Sequence, residues 1–185
     1  MSFPETNQSS SFTKPNRPLT WLITGCSSGF GLSITRIAQA HEHTVIATSR
    51  DPPRTPDLVS EVESKGGKWL KLDVDDPNCG QVIEDLEASG TQIDVLVNNA
   101  GYSIHGVVEQ FAEEEIRRQM ESMYFGPFRL MKAVVPKMRK RRFGIVVNIS
   151  SGAGLEGRES MGGYAPAKAA LDSGCFPSRM IVSRR

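Results

Sequence analysis

The sequence is short of several things. Its 185 residues hold three cysteines, Cys26, Cys79 and Cys175, widely spaced and in no paired pattern. That argues against a disulfide framework and a zinc site, and it fits a reducing, cytoplasmic setting. No apolar run approaches the ~20 residues of a membrane span. Neither sign of charge is in excess: 22 Lys and Arg face 21 Asp and Glu, a net charge of +1. No global field draws the chain to nucleic acid or to acidic membranes. The opening stretch MSFPETNQSSSFTKPNRP lacks the apolar core of a signal peptide and carries a Glu. With almost no large apolar residues, residues 1–17 read as a disordered leader. His41, His43 and His105 show no ligand spacing, so no metal site is expected.

What is there is a regular alternation. The apolar runs at 19–24, 44–49, 68–74, 93–101 and 144–150 read as strands,. Helical patterns separate them: one after Gly29, one over 57–65 ending at Gly66-Gly67, and one ending at Gly90,. The longest runs from Ala112 to about Arg142, with a kink expected at Gly126-Pro127 or Pro136,. A last helix starts at YAPAKAALDS. Strands alternating with helices imply right-handed crossovers and a parallel, doubly wound α/β sheet of Rossmann type in three layers. A hydrophobic share of 38% suits one such soluble domain,.

The turn after the first strand is TGCSSGFG. Gly25 permits a tight exit, Gly29 lets a pyrophosphate approach the backbone, and Gly31 lets the next helix pack on the sheet. The helix N-terminus then offers free N–H groups and a positive dipole end to phosphates. Ser27 and Ser28 can donate to phosphate oxygens, with Ser28 better placed by spacing. Phe30 belongs to the same cofactor-binding turn. A strand before and a helix after separate this from an ordinary turn with spare glycines.

Three more motifs follow in order: Asn98-Asn99-Ala100-Gly101 after the fourth strand, Ser151 after the fifth, and Tyr164-x-x-x-Lys168. Together with the glycine turn they resemble the short-chain dehydrogenase/reductase family over roughly residues 18–172. The resemblance implies a nicotinamide coenzyme and a small carbonyl or alcohol substrate. It places Asp73 and Val74 at the adenine, and Asn98, Ala100 and Gly101 at the ribose and backbone contacts. Plain turn chemistry is the other account of Asn98-Asn99. Tyr102 and Ile104 follow that turn and can line the pocket.

The end of the second strand bears on NAD against NADP. An acidic side chain there would bond the ribose 2′-OH, whereas an arginine accommodates a 2′-phosphate. By the resemblance Ser49 stands at the acidic position, uncharged, and Arg50 aligns with the arginine of NADP-preferring members. NADP(H) is therefore favoured over NAD(H). The competing account has Asp51 reach the ribose while Arg50 is only solvated.

Hydride transfer to a carbonyl leaves an alkoxide that needs a proton. Free tyrosine titrates at about 10, and an ammonium one helical turn away stabilises the phenolate. Tyr164 is thus the expected general acid and base, and Lys168 its activator. By the resemblance Lys168 also holds the nicotinamide ribose, and Ser151 polarises the carbonyl. Ser150 is the near competitor. A bare Tyr-x-x-x-Lys is common on solvated helices, but the strand and serine before it favour catalysis.

Two departures stand out. Met123 occupies the position where the family often has an asparagine of a proton relay, and a thioether cannot replace an amide there. Its own simplest role is helix packing. The family pattern also stops near Ser173. Residues 173–185 read as a divergent tail on a chain missing the family's last strands. RMIVS can form a short strand, and the fifth strand is expected to keep an unpaired edge. The alternative is then a catalytically inactive nucleotide-binding remnant or an unstable truncated gene product. The basic run KMRKRR reads as solvated helix end, with nucleic-acid or targeting use the weaker option. The long helix is a candidate homo-oligomer surface, again by resemblance.

Overall fold

The apolar run around Trp21 becomes β1 (Thr20–Ile23), and the one around Ile46 becomes β2 (Thr44–Ser49). In the computed structural model, residues 15–174 and 179–181 are described. The expected leader's residues 1–14 and the tail's residues 175–178 and 182–185 lie outside the described residues. The remaining strands are β3 (Lys68–Lys71), β4 (Val95–Asn98), β5 (Ile145–Asn148) and β6 (Arg179–Ile181). The sheet order is β3-β2-β1-β4-β5-β6. β1 to β5 pair in parallel. β6 runs antiparallel along β5, pairing Ile145 with Ile181 and Val147 with Arg179. The edge of β5 is therefore covered, contrary to the expectation of an unpaired edge, because the backbone of the RMI segment turns back onto it. Chain order reverses between β1 and β4, and that switch point opens a crevice at the strands' carboxyl ends.

Two apolar clusters cover the two faces, as a buried parallel sheet demands. On one face α1 (Gly29–Ala40) and α2 (Pro56–Ser64) pack Ala38 and Val62 against Val45, Ala47, Val95 and Val97. On the other, α3 (Gln81–Ala88), α5 (Gly126–Lys140) and α6 (Tyr164–Gly174) contribute Ile83, Leu130, Val134, Met138 and Leu171. The basic run at the end of α5 is engaged with its neighbours: Lys137 pairs with Glu84 (2.6 Å) and Arg141 with Glu87 (2.9 Å). At the foot of the sheet Asp94 is fully buried. It accepts two bonds from the Arg17 guanidinium (2.7 and 2.8 Å) and one from the Thr20 N–H (2.9 Å). Arg17, the last residue of the stretch read as leader, thus pins β1 to β4.

The long helix is not continuous. α4 (Glu113–Met120) passes into a π turn (Glu121–Phe125), and α5 starts at Gly126. Pro127 has no N–H for the Met123 carbonyl, and its ring would crowd that carbonyl in a regular helix. The ladder widens by one residue, and the Gly126 N–H reaches the Glu121 carbonyl,. Gly126 also lies against the end of β3's extension, where a Cβ would come 2.6 Å from the Val74 carbonyl oxygen. Pro136 sits inside α5 without ending it.

Candidate active site

The glycine turn closes over the switch point. The Thr24 hydroxyl accepts the N–H groups of Asn99 (3.0 Å) and Ala100 (2.9 Å), tying the exits of β1 and β4 together. Asn99 returns its amide to the carbonyls of Thr24 (2.8 Å) and Gly25 (3.1 Å). Gly25 has φ +70°, and a Cβ on it would lie 2.8 Å from the Ala100 Cα. A Cβ on Gly31 would lie 2.2 Å from the Gly25 carbonyl oxygen, so α1 meets the turn backbone to backbone. Gly29, φ +57°, faces open space. Ser28 precedes α1 in an extended conformation, and its hydroxyl makes no capping bond. The first N–H groups of a helix have no partner within it, so this cradle has the form and polarity of a phosphate site.

The turn forms one wall of a cleft of about 490 Å³. Gly25, Ser27, Ser28, Gly29 and Phe30 line it at this end, and Ser49, Arg50, Asp73 and Val74 lie along the side. Arg50 is exposed and no carboxylate pairs with it among the described residues; Asp51 does not line the cleft. Ala100, Gly101 and Tyr102 continue the lining, and Tyr164 and Lys168 complete it at the far end. The cleft thus joins residues from the glycine turn, the ends of β2 and β3, the Asn-Asn-Ala-Gly turn and the Tyr-x-x-x-Lys helix.

The two asparagines divide. Asn98 is buried and donates to the Asn148 side chain (2.8 Å), tying β4 to β5, while Asn99 lines the cleft. Asp75, Ser122, Ser103 and Ile149 also line it, although no motif singled them out. Side-chain alternation past the end of β4 could have picked Asn99 over Asn98. The Ser122 hydroxyl donates to Asp75 (2.5 Å), a pairing across 47 positions that no local pattern reveals. Met123 is buried and lines the cleft with its methyl group packed over Gly101, where a Cβ would lie only 2.5 Å away.

At the Tyr164 end, Lys168 is 6% exposed. Its ammonium donates to the Ile149 carbonyl (2.6 Å) and lies 5.9 Å from the centre of the Tyr164 ring. Burial pushes the Lys168 pKa below the ordinary lysine range, and Asp172 one turn on pulls it partly back,. Ser150 lines the cleft and donates to Asp172 (2.5 Å), whose other oxygen is buried without a partner among the described residues. The Ser151 hydroxyl instead accepts the Ala153 N–H (3.2 Å), capping a short 3-10 turn at Gly152–Gly154, and Ser151 does not line the cleft. Among the described residues, no three His, Cys, Asp or Glu side chains gather to hold a metal, and no helix is long and apolar enough to cross a membrane.

A family model described as short chain dehydrogenase matches residues 20–174. An oxidoreductase of Passalora fulva is 40% identical over 154 residues, which cover 83% of this chain and 70% of that protein. A short-chain dehydrogenase structure from Streptomyces avermitilis superposes with TM-score 0.80 at 40% identity, over 86% of this chain and 58% of that one. A metagenomic short-chain oxidoreductase solved in complex with NADP matches with TM-score 0.78 at 25% identity, over 83% of this chain and 72% of its own. The chain spans 55% and 54% of the length of two further curated relatives.

Proposed function

Because this chain belongs to the short-chain dehydrogenase/reductase family, we propose that its cleft takes NADP(H) and interconverts a carbonyl and a secondary alcohol. The family is one of NAD(P)-dependent oxidoreductases acting on CH–OH groups. The observation that carries the proposal is the shared cleft: the glycine cradle and the Tyr164/Lys168 pair open into one space. The residues present fit a dinucleotide. The glycines keep Cβ atoms out of the cradle, and the exposed Arg50 guanidinium at the end of β2 pairs with no carboxylate among the described residues. A guanidinium suits a phosphate dianion, and Asp51, the residue that would favour a 2′-OH, stands outside the lining.

The coenzyme, when bound, supplies or takes the hydride. In reduction, the Tyr164 O–H donates its proton to the carbonyl oxygen as the carbon becomes tetrahedral. The phenolate that remains is stabilised by the Lys168 ammonium, and a proton from water restores it. In oxidation the phenolate takes the alcohol proton. Lys168 is anchored by the Ile149 carbonyl, so its charge is held at the Tyr164 ring without needing a flexible reach. A hydroxyl at the end of β5 orients the substrate oxygen. Ser151 holds that place by motif, and Ser150 holds it by position in the cleft.

A second reading, nucleotide binding without turnover, is favoured by Met123, which sits against Gly101 without a polar group to relay protons,. Titrating the chain with NADPH and following reduced-nicotinamide fluorescence, then adding a panel of ketones and aldehydes, tests both. Saturable binding with turnover is the expected result. Binding without turnover across the panel establishes the second reading, and a folded chain that does not bind NADPH overturns both.

A further inference from the structure

The wall of the cleft contains a hydroxyl whose direction is set from behind. Ser49, at the end of β2, is 5% exposed and lines the cleft. Trp69, on β3, stands in register with Ala47, so it is the diagonal neighbour of Ser49 on the same face of the sheet,. Trp69 is 7% exposed and lies outside the lining. Its indole nitrogen is 3.0 Å from the Ser49 hydroxyl oxygen. An indole N–H can only donate, so Ser49 is the acceptor in that bond. A hydroxyl has a single hydrogen, and no acceptor among the described residues takes the one on Ser49. The carbonyl of Ser49 is already occupied by the Leu72 N–H. The hydrogen is left for the cleft.

We infer that Trp69 is a positioning residue for coenzyme choice: by occupying the back of the Ser49 oxygen, it fixes that hydroxyl as a donor beside Arg50. This rests on the NADP(H) reading of the cleft. A phosphate dianion presents acceptors only, so a fixed donor suits it in every orientation. A ribose hydroxyl carries its own hydrogen and gains less from a neighbour that can only donate. Arg50 supplies the charge, and the Trp69–Ser49 pair supplies a directed neutral bond. A merely structural account needs only that the buried indole finds an acceptor, and it predicts no effect on nucleotide preference.

Calorimetry on the 185-residue chain with 2′,5′-ADP and 5′-AMP as probes separates these accounts. The unmodified chain is expected to prefer 2′,5′-ADP. Trp69→Phe keeps an aromatic ring in the core and deletes the N–H. It should cut the preference by about five- to tenfold while leaving 5′-AMP affinity in place, since a hydrogen bond to a charged group is at stake. Ser49→Ala should cut it to a similar level, and the double variant no further, as expected of two residues acting through one bond. Should Trp69→Phe not fold, benzothienylalanine at position 69 replaces the N–H by sulfur in a ring of similar size. An unchanged preference in the Trp69 variant, or losses that add independently, overturns the inference alone. Equal binding of both nucleotides by the unmodified chain overturns the NADP(H) reading and the inference with it.

Discussion

Lys168 is an ammonium held where water barely reaches. Its pKa is depressed by burial, with Asp172 opposing. Between its folded and unfolded pKa values the unfolded chain binds the extra proton, so stability rises with pH across that window. The cost of burying the charge is in place at neutral pH and is relieved as pH approaches the ordinary lysine range. Chemical denaturation of the unmodified chain and of Lys168→Met between about pH 7 and pH 10 should show the difference shifting in favour of the unmodified chain as pH rises. A flat difference would mean the ammonium is better solvated than its surroundings indicate. The same variant should lose nearly all turnover. Arg50→Ala is expected to weaken NADPH binding roughly tenfold or more, as befits a charge-assisted contact, and to leave NADH nearly unaffected; fluorescence titration of both coenzymes checks this. At this scale the sequence was partly legible. Tyr164 and Lys168 could be read from their spacing, because i and i+4 share a helix face. The division of labour between Asn98 and Asn99, and between Ser150 and Ser151, could not. It depends on which hydroxyl or amide a neighbouring turn captures, and the Ala153 N–H is such a captor.

On the proposed function, the strand–turn–helix at the cradle is the element on which nucleotide binding would depend. Gly31 is its tightest point, because its missing side chain is what lets α1 touch the Gly25 carbonyl. Gly31→Ala should abolish NADPH binding and lower the melting temperature, with overpacking worth about 1–3 kcal/mol; thermal melts with and without NADPH would measure both. A variant that melts normally and still binds would show that α1 can slide to make room. This unit is legible in the sequence, since glycine spacing, apolar strand and helical period agree. The long helix was legible only in outline. Proline and glycine mark a disturbance near position 126, but the form it takes depends on Val74 pressing against Gly126, a contact between segments far apart in the chain.

At the scale of the whole molecule, the sheet has two apolar faces, and its order reverses once. Alternation of strand and helix made that architecture readable. The backbone pairing of β6 on β5 ran against the expected open edge, because RMIVS is short and strand pairing is a long-range event that local pattern does not reveal,. β6 caps an edge that would otherwise present unpaired N–H and carbonyl groups,. A chain stopped after Gly174 should therefore aggregate at a lower temperature than the full chain, as read by light scattering during a thermal ramp. Equal aggregation onsets would show that β6 contributes nothing as a cover.

The π turn at Glu121–Phe125 amounts to one residue more than a straight helix needs,. At about 3.6 residues per turn, one residue is a rotation of roughly 100°. The extra residue therefore sets the phase between the two halves of the helix. It lets Leu130, Val134 and Met138 keep to the core while Ser122 and Met123 are aimed into the cleft. The character of this wall is thus guarded by chain length as much as by composition: removing a single residue from the turn would dial a different pair of side chains into the cleft, with no substitution at all.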